Sequence, residues 1–149
     1  MMCDNLYNEN EFLIIMNEKF NKNEPVNLTV TGGSMVPFLV HKRDTVILTP
    51  VDENVKKGDI LFYRRKNGKC VLHRVKNITD DGIYFIGDSQ DKIEGPLDIN
   101  CILAKCDSVI RKNRIINQNS IIWKFFRIVW LNIIPLRLPL IKIYSKIKK

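Results

Sequence analysis

Between Val26 and Ile110 every apolar run is short and ends on a turn-forming residue, and this constrains the fold more than any other feature of the chain. Val26-Asn27-Leu28-Thr29-Val30 alternates in period two, as a strand with one buried face does. Thr45–Leu48 and Asp59–Arg64 follow as strands, the second entered through Lys57-Gly58. Asn67-Gly68 is a hairpin signal, because both residues tolerate the positive φ of a tight turn. It returns the chain through Cys70–Val75, and Asp80-Asp81-Gly82 turns it again into Ile83–Ile86. Ile99–Lys105 and Ser108–Ile110 supply the last strands. No long helix interrupts them, so the fold class is mostly β: a coiled, antiparallel sheet or partial barrel.

The flanks differ. Residues 9–22 place Phe12, Ile15, Met16 and Phe20 at helical spacing ahead of Pro25, which predicts a short amphipathic helix. Three segments result: a lead-in over 1–25, a β-domain over 26–112 and a tail over 113–149. The net charge of +8 is not spread over them: residues 1–107 hold 14 Lys/Arg against 16 Asp/Glu, whereas 108–149 hold 10 Lys/Arg and no acid. The β-domain is nearly neutral and residues 1–24 are too short for a helix-turn-helix, so no nucleic-acid partner is expected. Pro135 and Pro139 divide the tail into helices at about 119–133 and 140–148. Lys124, Arg127, Lys142 and Lys146 would share one side of an ideal helix. The tail is read as an interfacial segment over residues 115–149, with Trp123, Phe126 and Trp130 entering the headgroup zone of a membrane. A helix packed on the barrel is the alternative. No stretch reaches the roughly 20 apolar residues of a spanning helix, and Phe12–Met16 is too short and too charged for a signal sequence. Cys3, Cys70, Cys101 and Cys106 form no CxxC pair, so they are expected as reduced or buried thiols, with no metal site.

The chemistry-bearing residues are few. Thr31-Gly32-Gly33-Ser34-Met35-Val36-Pro37-Phe38 exposes one serine on a glycine turn at a strand end. A serine hydroxyl needs a neighbouring base to become a nucleophile. Leu72-His73-Arg74-Val75 offers one, because histidine is neutral in part of its population at pH 7.

Four blocks stand in order: Gly32–Pro37, Lys57-Gly58-Asp59-Ile60-Leu61-Phe62, Leu72–Val75 and Gly87-Asp88-Ser89-Gln90-Asp91. Over roughly residues 28–110 this series resembles the signal peptidase I superfamily, which includes the self-cleaving repressor peptidases. The family pattern is G-x-S-M-x-P, a G-D strand, a strand carrying the base, then G-D and a further acid. Histidine in an H-R-V context resembles the Ser-His branch rather than the Ser-Lys one, and Lys69, on the same strand face, is set aside on that ground.

The resemblance implies a serine endopeptidase that cleaves a signal or leader peptide, without cofactor, through an acyl-enzyme on Ser34 with His73 as general base. Backbone N–H groups of Gly32, Gly33 and chiefly Ser34 would hold the oxyanion. Small side chains are expected beside the cut. Asp91 is the preferred orienter of the imidazole and Asp88 its close rival, with Glu94 and Asp98 behind. His41 is expected as a solvated loop residue. The family usually carries a membrane span just before the serine; here that place is taken by about 30 polar and amphipathic residues. The partners expected are a peptide substrate and, through the tail, a membrane surface on a side the sequence leaves open. A self-cleaving or regulatory peptidase, or a catalytically idle β-module with a lipid-binding tail, are the alternative readings.

Overall fold

A computed structural model describes residues 8–148. It opens with α1 (Glu9–Asn21), whose first turn is capped by the Asn8 side chain accepting the Glu11 N–H at 2.9 Å. Phe12 and Met16, one turn apart, face the core and are buried. Eight strands follow: β1 (Val26–Thr29), β2 (Asp44–Thr49), β3 (Ile60–Arg64), β4 (Cys70–Thr79), β5 (Gly82–Ile86), β6 (Glu94–Leu97), β7 (Ile102–Arg111) and β8 (Arg114–Asn117). They form one sheet in the order β1-β2-β7-β3-β4-β5-β6, with β8 paired to β7 and every pairing antiparallel. The sheet coils without closing, so the expected class holds as an open sheet.

Two long strands produce the coil. β7 pairs β3 through its first half and β2 through its second, each with a register shift. β4 pairs β3 over Cys70–Arg74 and β5 over Arg74–Thr79. Where the halves meet, β3 and β4 are covered on both faces. Ile60, Phe62, Cys70 and Leu72 join the main core with Phe12, Leu28, Met35 and Phe38. Leu61, Tyr63, Val71 and Val75 form a second cluster with Ile83 and Phe85. This double burial explains why β3 and β4 read as continuous apolar runs rather than alternating ones. It also assigns faces: Arg74 follows Leu72 into the main core, and His73 follows Val71 and Val75 toward the second cluster.

Several boundaries differ from the sequence expectation. The single strand β7 replaces two, and Ile99–Cys101 is a 3-10 turn capped by Asp98 rather than strand. β8 follows β7 through Lys112 and Asn113, both at positive φ, a two-residue hairpin whose first residue gives no turn signal in sequence. β6 contains Gly95 and Pro96, which argue against a strand; it is tolerated because it is an edge.

The tail forms α2 (Ile121–Ile128), a 3-10 turn (Trp130–Asn132) and α3 (Ile134–Ile147). Pro135 lies in the first turn of α3, where no intrahelical N–H is lost, and Pro139 is carried within the helix. The tail aromatics correct the sequence reading. Trp123, Phe126 and Trp130 do not face outward; they are buried in the main core. Phe38 meets Trp123 edge-on at 5.3 Å and Phe126 at 5.0 Å between ring centroids. Arg127 reaches Asp59 at 3.3 Å across Gly58, which has no side chain to obstruct it. No helix among the described residues is long and apolar enough to cross a membrane. Cys70, Cys101 and Cys106 are free thiols, and Cys3 lies outside the described residues.

Because Trp123 is wholly buried, Trp123→Ala should destabilise the fold by about 3–5 kcal/mol. Urea unfolding measures this; a change below about 0.5 kcal/mol, typical of surface sites, would mean the tail does not pack as described.

Candidate active site

Ser34 sits on the loop between β1 and β2. Gly32 has φ +76°, a conformation that favours glycine, and its N–H donates to His41 Nδ1 at 3.1 Å. The exposed His41 is therefore a brace for the serine turn, and the Gly32 N–H is already engaged, unlike the free oxyanion donor expected from the sequence. Beyond Ser34 the loop is anchored by the buried Met35, Phe38 and Leu39. Its far end closes on the buried Asp44 carboxylate, which accepts the Val40 N–H and pairs with Arg43 and Arg111.

The turn after β5 holds the serine from the other side. The Ser89 N–H donates to the Ser34 carbonyl at 3.0 Å, and Ser89 Oγ donates to the Gly33 carbonyl at 2.8 Å. Gly87 lies so close that a Cβ there would meet the Ser34 carbonyl oxygen at 2.5 Å. The β4–β5 ladder reaches as far as the pair Arg74 and Ile86; His73 precedes this pair on β4, and Gly87 follows it into the turn. Ser34 therefore borders Gly87, and the turn it borders is tied to the residue after His73 by the Arg74–Asp88 pair. Ser34 Oγ is buried and makes no hydrogen bond, so nucleophile and base are not joined in this state.

The imidazole has its own anchor. His73 Nδ1 is 3.1 Å from Tyr63 Oη, and Tyr63 Oη is 3.0 Å from Glu94 Oε2. Glu94 is gripped by Arg65, with Nε–Oε1 at 2.8 Å and Nη2–Oε2 at 2.7 Å. An ionised carboxylate has no proton to give, so the single phenol proton goes to Glu94. Tyr63 Oη can then only accept from the ring, which fixes the Nδ1–H tautomer and leaves the lone pair on Nε2. Burial pushes the Tyr63 phenol above its ordinary value, and the Glu94 charge adds to the shift. Burial alone would raise the Glu94 carboxyl, but the hydrogen bonds from Arg65 and Tyr63 outweigh it and hold it below the usual range. Burial also lowers the His73 pKa to about 4, with Arg65 adding to that effect and Glu94 opposing it. His73 Nδ1 lies 4.0 Å from Glu94 Oε2; with the ring neutral at pH 7, this is not an ion pair.

The acids fall otherwise than the sequence order suggests. Asp88 is fully buried, and both its oxygens are taken by Arg74, Nε at 2.9 Å and Nη2 at 2.7 Å. It supports the turn rather than the imidazole. Asp91 is exposed on the rim of a shallow cleft with Arg65, Lys92 and Glu94, and has no hydrogen bond or ion pair to His73. Asp98 caps the 3-10 turn. Glu94 is the carboxylate that reaches the ring, through Tyr63, which sequence reasoning missed. A signal for Tyr63 was present: the Asn67-Gly68 hairpin pairs Tyr63 with Val71, diagonal to His73 on one sheet face. Lys69 is exposed at the hairpin end, away from the site.

An open antiparallel sheet thus carries a serine on a glycine turn after β1 and a histidine on β4 whose Nδ1 meets the Tyr63 hydroxyl. The chain belongs to the Peptidase S24-like family, which matches residues 3–101. This is a family of serine peptidases that spans signal-peptidase-like and self-cleaving repressor enzymes. The match contains Ser34, Tyr63, His73, Asp88 and Glu94 and ends before the tail. No curated protein and no solved structure matches the chain.

Asp88→Ala leaves Arg74 buried without its counter-charge and should cost about 3–5 kcal/mol, whereas Asp91→Ala should stay within about 0.5 kcal/mol. Denaturant midpoints of the two variants test this. Equal, small effects would contradict the structural role of Asp88.

Proposed function

We propose that the protein is a serine endopeptidase of the Ser-His type that cleaves a signal or leader peptide. The observation that carries this reading is the hydrogen-bonded chain Glu94–Tyr63–His73, which supplies what a general base requires: a buried, neutral ring with Nε2 unprotonated. In the reaction, Ser34 Oγ attacks the scissile carbonyl and its proton passes to His73 Nε2. The imidazolium so formed keeps its Nδ1–H on Tyr63, with the Glu94 charge close behind. Collapse of the tetrahedral intermediate breaks the C–N bond, and Nε2–H gives its proton to the leaving amine. Water, deprotonated by the same nitrogen, then hydrolyses the acyl-Ser34. The Gly33 and Ser34 N–H groups donate to no other described residue and are the candidates to meet the oxyanion.

Closing the gap between Ser34 Oγ and Nε2 falls to substrate binding. Catalytic hydrogen bonds often tighten only in the Michaelis complex, and the unpartnered Ser34 hydroxyl has no competing bond to break first.

The test is cleavage of a leader-like peptide, with small residues before the cut, by the full chain. Folded Ser34→Ala and His73→Gln variants should each lose at least about a thousandfold in kcat. Tyr63→Phe, which removes the tautomer-setting hydroxyl, should lose about ten- to a hundredfold. Cleavage that persists in Ser34→Ala overturns the assignment, and a discrete cut in the chain itself without added peptide would point to self-cleavage instead. Because a lowered histidine pKa keeps the base neutral further into acid, the acid limb of kcat/KM should fall toward about 4, well below the ordinary 6.5. A limb centred at 6.5 would contradict the burial argument.

A further inference from the structure

Burying Trp123, Phe126 and Trp130 does not exhaust the apolar surface of the tail. On α2, Ile121, Phe125 and Ile128 recur at i, i+4 and i+7 on the side opposite Trp123 and remain exposed, Ile121 by 88%. On α3, Leu136, Leu140, Ile143 and Ile147 fall within a narrow stripe at i, i+4, i+7 and i+11, and all four are exposed, Ile147 by 79%. α3 turns a different side to the domain, where Arg137 is buried and Ile141 packs on the core. The apolar stripe is therefore additional to the packing face and has no cover among the described residues.

The charges around these stripes are of one sign. Lys142 and Lys146 lie along one flank of the α3 stripe, and Lys124 borders that of α2. All three are exposed and form no ion pair among the described residues. The tail basic groups that do find partners, Arg127 and Arg137, point into the domain. Residues 108–149 contain no acid to attract a cationic partner. Apolar stripes whose charged neighbours are lysines complement a surface that is apolar below and anionic above.

We propose that the outer faces of α2 and α3 dock on an anionic lipid surface and hold the active site beside it. The coupling to the site is direct. Trp130 Nε1 donates to the Asp88 carbonyl at 2.8 Å, and Arg137 Nη1 donates to the Gly87 and Gln90 carbonyls at 3.0 and 3.2 Å. The same turn binds Ser34 through Ser89. The tail that would meet the membrane is thus hydrogen-bonded, through its inner side, to the turn that holds the serine. No spanning helix is required, and the aliphatic side chains need enter only to the headgroup boundary.

Vesicle co-sedimentation of the full chain tests this, with phosphatidylcholine alone or mixed with phosphatidylglycerol. Each lysine near an anionic surface strengthens binding roughly fivefold, so three favour the mixed vesicles by about a hundredfold, and added salt should erode the difference. Ile128→Ser with Leu140→Ser should abolish sedimentation, and Lys142→Glu with Lys146→Glu should remove the preference for phosphatidylglycerol. Both pairs are exposed, so unfolding midpoints should stay within the surface range and show that the fold is intact. Failure to sediment, or binding unchanged by both pairs, overturns the proposal. So does concentration-dependent self-association in free solution that the Ile128 and Leu140 substitutions remove, which would assign the face to a second copy. Vesicle binding is read without peptide cleavage, so its failure and failure of the peptidase reading are separate results.

Discussion

The buried ion pair of Arg74 and Asp88 is the interaction on which the site depends. Arg74 is next in sequence to His73, and its guanidinium engages both oxygens of Asp88 on the turn that holds Ser34. The same group donates from Nη1 to the Gly58 carbonyl at 3.0 Å and stands 5.1 Å over the Phe38 ring of the serine loop. One side chain thus ties the base strand to the serine loop and to both Gly-Asp turns. A pair buried this fully is not a source of net stability over apolar packing, but loss of either partner strands a charge. Its return is geometric, since it fixes where His73 stands relative to Gly87. The two Gly-Asp aspartates serve alike as anchors. Asp59 collects the Lys56 N–H, Lys105 and, from the tail, Arg127.

Within the frame set by Arg74 and Asp88, Ser34 and His73 each have their own local contacts. Ser34 is fixed by its carbonyl on Ser89 and by the buried side chains that follow it, while its hydroxyl is left without a partner. His73 is fixed by Tyr63, whose ring stacks on Phe85 at 4.1 Å between centroids. Gly87 is the hinge of this arrangement, because a larger residue would separate the turn from Ser34.

Much of this was legible in the sequence for local reasons. Period-two alternation and the Asn67-Gly68 and Asp81-Gly82 turns marked the strands, since each signal acts within a few residues. Ser34 and His73 stood out because few other residues could do the chemistry. The acid was not legible, because the order of aspartates along the chain says nothing about which charge an arginine already occupies. Arg74, one position from the histidine, claims Asp88; Glu94 reaches the ring because β6 pairs with β5, through a strand whose Gly95 and Pro96 disguise it. The tail misled for a related reason. Trp and Phe beside lysines suit a lipid interface by composition, but here Trp123 and Phe126 fill the space beside Phe38, and the residues between and beyond them, mostly aliphatic with Phe125, are the ones left outside.

The claim that the Glu94–Tyr63 chain prepares His73 as a base is open to a measurement that needs no substrate. Nitrogen-15 NMR of the imidazoles distinguishes the two neutral tautomers, and with only His41 and His73 in the chain a His41→Ala variant assigns the signals. His73 is expected as the Nδ1–H tautomer at pH 7, reverting toward the mixture of a free imidazole in Tyr63→Phe. A His73 found as the Nε2–H tautomer, or unaffected by loss of the Tyr63 hydroxyl, would contradict the account.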